Sequence, residues 1–313
     1  MKELALSPEQ QEQIEELECA IKKECEKYKG IPVAISGGVD SSTVAAFSKP
    51  EFVISVELPG GKKYDETRHA EEVARHLNVE RIVVKPDHTL FDSSMTEAVR
   101  AIGRPIPHFN IFPLYEMYKK LNEMGVKELI LGDGPDESMS GYTRNIIMHY
   151  LYGAYGKKGF ENYHPMLNAI LPHPTIAYAD MIKKPLEEVS SLMEDLPLVK
   201  GMNQVDIQLM RPDMDDMSNG IAKHFGIKNI RPLQDNYAID NMMYNLPDEL
   251  KIHDDLGKIA LREIAEKYLP FGIAWRRKKI GGPVYPVNIM KGWMGLGEFD
   301  KTKYLEMQME ILK

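Results

Sequence analysis

Cysteine is nearly missing from this 313-residue chain: there are two, Cys19 and Cys25, and tryptophan is equally scarce at two. The cysteines share one expected helix at a spacing that suits neither a disulfide nor a zinc knuckle. They are expected to be inert, packed as small buried apolar residues. No apolar run approaches the ~20 residues needed to cross a bilayer, and Met1-Lys2-Glu3 opens no secretory signal. With neither address visible, a cytoplasmic protein with no membrane partner is the default expectation. Positive charge is in deficit: 39 Lys and Arg against 47 Asp and Glu leave a net charge of -8. That balance argues against broad binding to a nucleic-acid backbone, so no nucleic-acid partner is expected. Low-complexity tracts and internal repeats are missing too. What remains is ordinary globular composition, 43% hydrophobic and 27% charged, enough for a sizeable core.

The hydrophobic period changes along the chain. Ser7, Pro8 and Gln10 form the start signal of a first helix, a capping box with proline in the first turn, and Gly30 ends it. Ile14, Leu17, Ile21 and Tyr28 make its apolar stripe. Residues 31–35 then read as a buried strand, followed by a Ser-Gly-Gly turn and a helix from about Asp40. Further strands are expected over 52–58, 81–84 and 128–131, and helices over 65–77, 93–102 and 112–124. This alternation predicts an α/β protein with a doubly wound, mostly parallel sheet. From Tyr142 onward the sequence is aromatic, Met-rich and broken by proline at helical spacing, which predicts a mainly helical C-terminal part. The expected organisation is an N-terminal helix over 1–30, an α/β core over 31–150 and a helical part over 151–313 that completes the site. Ligands of such sheets sit at the carboxyl ends of the strands. The loops after Ile35, Val56 and Leu131 are therefore expected to form one site.

Ser36-Gly37-Gly38-Val39-Asp40-Ser41-Ser42 lies between a hydrophobic strand and a helix. Its glycines let the backbone approach an anion, Ser41 and Ser42 add hydroxyl donors, and the free N–H groups of the helix start point the same way. Asp40 is an acid within an anion site, which makes sense where magnesium bridges it to phosphate. The Gly-Lys-Ser/Thr ending of a Walker loop is missing. The segment resembles the pyrophosphatase loop of the N-type ATP pyrophosphatases, which cleave ATP between the α and β phosphates.

A second loop, Gly132-Asp133-Gly134-Pro135-Asp136-Glu137-Ser138-Met139-Ser140-Gly141-Tyr142, clusters acids and glycines at a strand's end. It resembles the second signature of asparagine synthetase, Gly-Glu-Gly-Ser-Asp-Glu ending in Gly-Gly-Tyr. Val56-Glu57-Leu58-Pro59-Gly60 is similar to that family's nucleobase strand, and Glu71-Glu72-Val73-Ala74-Arg75-His76-Leu77 to its next helix. Lys258, Leu261-Arg262, Leu269-Pro270, Ile273 and Arg276-Arg277-Lys278-Lys279 resemble its C-terminal block, and residues 215–235 weakly echo its "R.PFLD" segment. GMP and NAD synthetases share the first loop; the second loop and the late basic block favour the asparagine synthetase branch.

The resemblance implies an adenine nucleotide α-hydrolase-like fold and an enzyme that adenylylates a carboxylate with ATP. It would release pyrophosphate and pass the acyl group to ammonia or an amine. By position, Ser36, Gly37, Gly38, Asp40, Ser41, Ser42 and Gly132 would bind ATP, with the Val56 backbone on the adenine. Asp40 and Asp136 would hold magnesium, and Lys278 would stabilise charge over the phosphates. Asp133 stands where the family has a glutamate that orients or deprotonates the nucleophile, one methylene shorter.

Other departures fall in the substrate region. Phe109 replaces an arginine, with His108 beside it; Lys228 and Ile230 replace a glutamate and an arginine, with Arg231 one place off. Lys2 stands where the family's glutaminase has its cysteine, so ammonia, a bulkier amine or a separate amine-supplying partner is expected in place of glutamine. A homo-oligomer also remains open. The departures imply retained ATP chemistry with an altered acyl donor or acceptor, as in β-lactam synthetase and the lasso-peptide cyclases. Three alternatives stay open: an ammonia-dependent asparagine synthetase proper, a regulatory homologue that keeps the ATP pocket without full catalysis, and an ATP pyrophosphatase of nucleobase or tRNA modification. The thiolating members of the last class need a cysteine near the site, and none follows Cys25.

Overall fold

The structure is a computed structural model and describes residues 5–57, 67–105, 108, 110–156, 196–277 and 301–313. Helix α1 (Pro8–Glu26) begins with the expected capping box: the Gln10 amide donates to the Ser7 hydroxyl, and the Ser7 amide donates to the Gln10 side chain. Its buried stripe, Ile14, Leu17 and Ile21, packs on α2 (Val39–Ser48) and on the later helix Ile259–Glu266. Cys25 continues the stripe, and burial pushes its thiol up to about 12. Cys19 does not share that burial; it is exposed, because positions 14, 17, 21 and 25 follow one face of the helix and 19 lies on the other.

Five parallel strands form one sheet in the order β3-β2-β1-β4-β5: β1 (Val33–Ala34), β2 (Phe52–Val56), β3 (Glu80–Val84), β4 (Glu128–Ile130) and β5 (Lys228–Ile230). The α/β class and the parallel sheet are those expected. The addition is β5, from a stretch read as helical. Only Ile230 of its three residues is buried, so no strand pattern shows in the sequence; pairing with β4, Ile130 opposite Ile230, makes the strand.

Alternate strand residues feed two cores. Val33, Ile35, Val53, Ile130 and Ile230 join α1, α2 and α3 (Thr67–His76) on one face of the sheet. Phe52, Ile54, Leu129 and Leu131 join α4 (Phe91–Ile102), α5 (Ile111–Glu123) and the helix Arg211–His224 on the other. Four of the five β2 residues are buried because helices cover both faces. The strand order turns at β1, which opens a crevice between the carboxyl ends of β1 and β4. Beyond it come α6 (Pro135–Ser138), α7 (Thr143–Tyr155) and, later, an antiparallel hairpin of β6 (Ile252–His253) and β7 (Leu256–Gly257). Among the described residues no helix is long and apolar enough to cross a membrane.

Candidate functional site

The first loop of the crevice runs from β1 into α2, whose N-cap is Gly38 and whose first turn holds Asp40. Its shape is held locally. The Ser36 amide donates to Ser41 Oγ at 3.3 Å, and the Gly38 amide donates to Ser36 Oγ at 3.2 Å. Gly37 is left-handed (φ 75°), and a Cβ there would lie 2.6 Å from the His69 and Ala70 backbone of α3. The Ser42 hydroxyl is buried with no hydrogen-bond partner among the described residues. Val56 ends β2 at the same edge of the sheet.

The second loop leaves β4 through Gly132, where an added Cβ would stand 2.6 Å from the Ser41 backbone. That close approach lets α6 carry Asp136 toward Asp40. Between the two carboxylates lies Lys258, its Nζ 2.5 Å from Asp40 Oδ2 and 2.6 Å from Asp136 Oδ1. Burial alone would push this ammonium down; Asp136 and Asp40 outweigh it and hold the group above the ordinary lysine range. Lys258 starts the helix Ile259–Glu266 in the left-handed region (φ 63°), a conformation a lysine keeps only where its surroundings impose it. Asp40 Oδ1 is buried without a hydrogen-bond partner among the described residues. A free carboxylate oxygen of this kind is a ligand for a hard divalent cation, so the residues present fit magnesium beside Lys258.

The residues around Asp136 are anchored from below. Tyr142 donates its hydroxyl to Glu137, whose carboxyl is raised by burial and by Asp136. Ser138 donates to Asp240, while Arg211 reaches Ser138 Oγ at 2.9 Å and Asp240 Oδ2 at 2.8 Å.

Asp133 stands exposed at the mouth of the crevice, its Oδ2 3.1 Å from Arg231 Nε. Buried Arg231 also lies 3.4 Å from Asp215 Oδ1, and its Nη2 donates to Ser218 Oγ at 2.7 Å and Asn219 Oδ1 at 2.9 Å. Gln234 holds Asp215 through both carboxylate oxygens, at 3.0 and 2.8 Å. Strand alternation explains the placement: Ile230 points into the core beside α1, so Arg231 points to the opposite face. Lys228 is exposed at the far end of β5, paired with Glu128 at 3.3 Å, and takes no part in the site. His108 is half-buried, and loss of solvent around its ring brings it down to about 4, so it is neutral at pH 7.

Lys278 and Phe109 lie outside the described residues. Arg276 is described, and its Nη2 is 4.0 Å from where a Cβ on Gly38 would stand. Arg262 ties that segment down by donating to the carbonyls of Gly257, Ala274 and Arg276. Sequence alone assigns Lys258 no role, because a single lysine before an amphipathic helix reads as a solvated face. Its place at the head of the Lys258, Leu261-Arg262 pattern was the one available signal.

A parallel sheet with a Ser-Gly-Gly loop after β1 and an acidic loop after β4, bridged by a buried lysine, defines an α/β protein with a candidate site at its switch point. More narrowly, residues 14–298 match the asparagine synthase family, and the chain belongs to that family. Its members include carbon–nitrogen ligases that form amides with ATP. The chain is 25% identical to asparagine synthetase B [glutamine-hydrolyzing] of Escherichia coli (strain K12), over 79% of this chain and 40% of that protein. It is also 25% identical to asparagine synthetase [glutamine-hydrolyzing] 1 of Bacillus subtilis (strain 168), over 84% of this chain and 49% of that protein. A shorter match, 30% identical over 36% of this chain and 20% of the relative, is to amidase chyE of Penicillium rubens. The chain thus spans less than half the length of these relatives.

Proposed function

We propose that the chain activates a carboxylate with ATP as an acyl-adenylate, releases pyrophosphate, and forms an amide with ammonia or an amine. The observation that carries this reading is Lys258 seated between Asp40 and Asp136 at the switch point, beside a phosphate-type loop. The substrate carboxylate oxygen attacks the α phosphorus, and the bond to the β phosphate breaks. Lys258 and the N–H groups at the start of α2 take the charge that grows on the leaving pyrophosphate. Asp40 and Asp136 would hold magnesium, which supplies further screening of phosphate charge. The amine then attacks the acyl carbon and AMP leaves; Asp133, held by Arg231, would orient the amine or take its proton. Lys278 would add a second cation over the phosphates.

The test is product analysis with a panel of carboxylates, ammonia and magnesium. AMP and pyrophosphate are expected; ADP and phosphate would overturn the assignment. In the same assay Lys278→Ala is expected to lower the chemical rate by about 10²-fold or more, with ATP binding weakened less. Turnover at the wild-type rate would remove Lys278 from the site.

The acyl substrate is proposed to be other than plain aspartate. A small dicarboxylate needs cations for two carboxylates. His108 is neutral, and the charge of Arg231 already faces Asp133 and Asp215, so neither neighbour offers a spare cation. One unpaired substrate carboxylate would cost at least ~1–3 kcal/mol, which is roughly tenfold to a few hundredfold in affinity. Pyrophosphate release with aspartate and ammonia alone should therefore be weak. Robust asparagine formation at low-millimolar aspartate would instead make this an ammonia-dependent asparagine synthetase.

A further inference from the structure

Lys251 has no part in the chemistry above, yet its side chain is wholly buried at the end of the short helix Asp248–Lys251. Among the described residues its Nζ touches no carboxylate. It donates to Asn203 Oδ1 at 2.9 Å and to the Tyr244 carbonyl at 2.5 Å. Because the amide oxygen of Asn203 faces Lys251, its Nδ2 faces the other way and donates to Ser140 Oγ at 2.9 Å. Asn203 and Ser140 are also fully buried. Ser140 is left-handed (φ 55°), which a non-glycine residue adopts only when held there. The next residue is the floor of the site: a Cβ on Gly141 would stand 1.9 Å from Lys258 Cε and 2.1 Å from Asp136 Oδ1.

We propose that Lys251 is a positioning residue for the proposed reaction. Through Asn203 it holds Ser140 in its left-handed turn, and so sets the surface on which Asp136 and Lys258 meet. The inference rests on the proposed ATP chemistry for its activity readout alone. The charged groups facing Lys251 are Asp248 on its own helix and Lys200 on the helix Leu198–Val205. Tyr244, on the helix Tyr237–Asn245, presents its ring to both lysines, at 5.2 and 5.4 Å. Burial outweighs the Asp248 carboxylate and brings the Lys251 amine down to about 7. A neutral amine has two N–H groups, enough for its two acceptors; protonation adds a buried charge with no counter-ion in contact among the described residues. The relay therefore loosens on the acid side.

A folded-state value below that of an unfolded lysine, ~10.4, means the unfolded chain binds the extra proton across that window. Stability therefore rises with pH from about 7 to about 10.

The experiment measures pyrophosphate formation and thermal unfolding against pH for wild type, Lys251→Met, Asn203→Leu, Asn203→Asp and, as a control, Lys200→Met. Lys251→Met and Asn203→Leu are each expected to lower turnover about 10–100-fold, the loss seen when a support of metal-site residues is removed. Their combination should be no worse than either alone, as for one relay. Wild type should lose kcat/KM for ATP as pH falls through about 7. Asn203→Asp sets a carboxylate against the amine, raises its pKa and should abolish that acid limb, with the Ser140 hydroxyl now donating to the carboxylate. This variant carries the test if the apolar ones do not fold. Lys200→Met should match wild type in turnover above the acid limb, with the limb itself moved to higher pH, because the Lys200 charge helps to lower the Lys251 amine. Wild-type turnover in Lys251→Met and Asn203→Leu, or an unchanged acid limb in Asn203→Asp, overturns the proposal. If wild type forms no pyrophosphate, the chemical reading fails and unfolding judges the relay. A stability rise between about pH 7 and 10 that Lys251→Met abolishes supports it, and a rise that the variant keeps overturns it.

Discussion

Asp136→Asn is expected to abolish useful turnover, lowering pyrophosphate formation by about 10²–10³-fold or more, in a protein that still folds. The asparagine keeps the shape of the side chain and an oxygen that accepts from Lys258 Nζ, which lies 2.6 Å from Asp136 Oδ1. It removes the charge. Lys258 stays paired with Asp40 at 2.5 Å, so a buried ammonium is not left alone, and the loss of stability should stay near ~1–3 kcal/mol. What cannot be kept is the pair of carboxylates that would share a divalent cation. The check is a magnesium titration of pyrophosphate formation beside a thermal melt. A folded variant within tenfold of wild type would remove Asp136 from the reaction, and with it the paired-carboxylate reading.

Lys258→Met should fail in the opposite electrostatic sense. Methionine keeps an unbranched side chain of similar length in the buried slot, where lysine is 3% exposed, but leaves Asp40 and Asp136 facing each other with no cation between them. Turnover should again fall about 10²–10³-fold, since the charge aimed at the leaving pyrophosphate is lost. Metal affinity of the ATP-free protein should rise, because two carboxylates that have lost their shared ammonium attract a divalent ion more strongly than the same pair with it. Asp136→Asn should weaken it, and the opposed signs separate a shared cation site from general damage. The pH dependence follows from the raised Lys258 pKa: its stabilising contribution is complete below the unfolded lysine value, ~10.4, and is lost only as pH rises through the still higher folded value. Wild type and Lys258→Met should therefore differ in stability by a constant amount through neutral pH. A variant that binds metal as wild type does and turns over normally would place Lys258 in the scaffold.

Much of this protein could be read before folding because its signals are local. The capping box of Ser7 and Gln10 is closed within one turn of helix, and the hydrogen bonds that shape the loop from Ser36 to Ser42 join its own serines and glycines. The alternation of strands and helices up to Tyr142 defined a parallel sheet, and a parallel sheet defines where its crevice lies. Contacts between distant segments could not be read this way. β5 is a strand because β4 pairs with it, and its three residues show no period of their own. The family positions at Lys228 and Ile230 suggested a site that had lost its charges; the pleat sends Arg231, one place along, to Asp133 across 98 residues of chain. Lys258 meets Asp40 across 218 residues, a pairing that no window of sequence contains. Residue types and short-range geometry thus made the two loops at the crevice legible. Which charges stand opposite one another was decided by tertiary packing, because a buried ion pair depends on where two elements meet and not on what lies beside either along the chain.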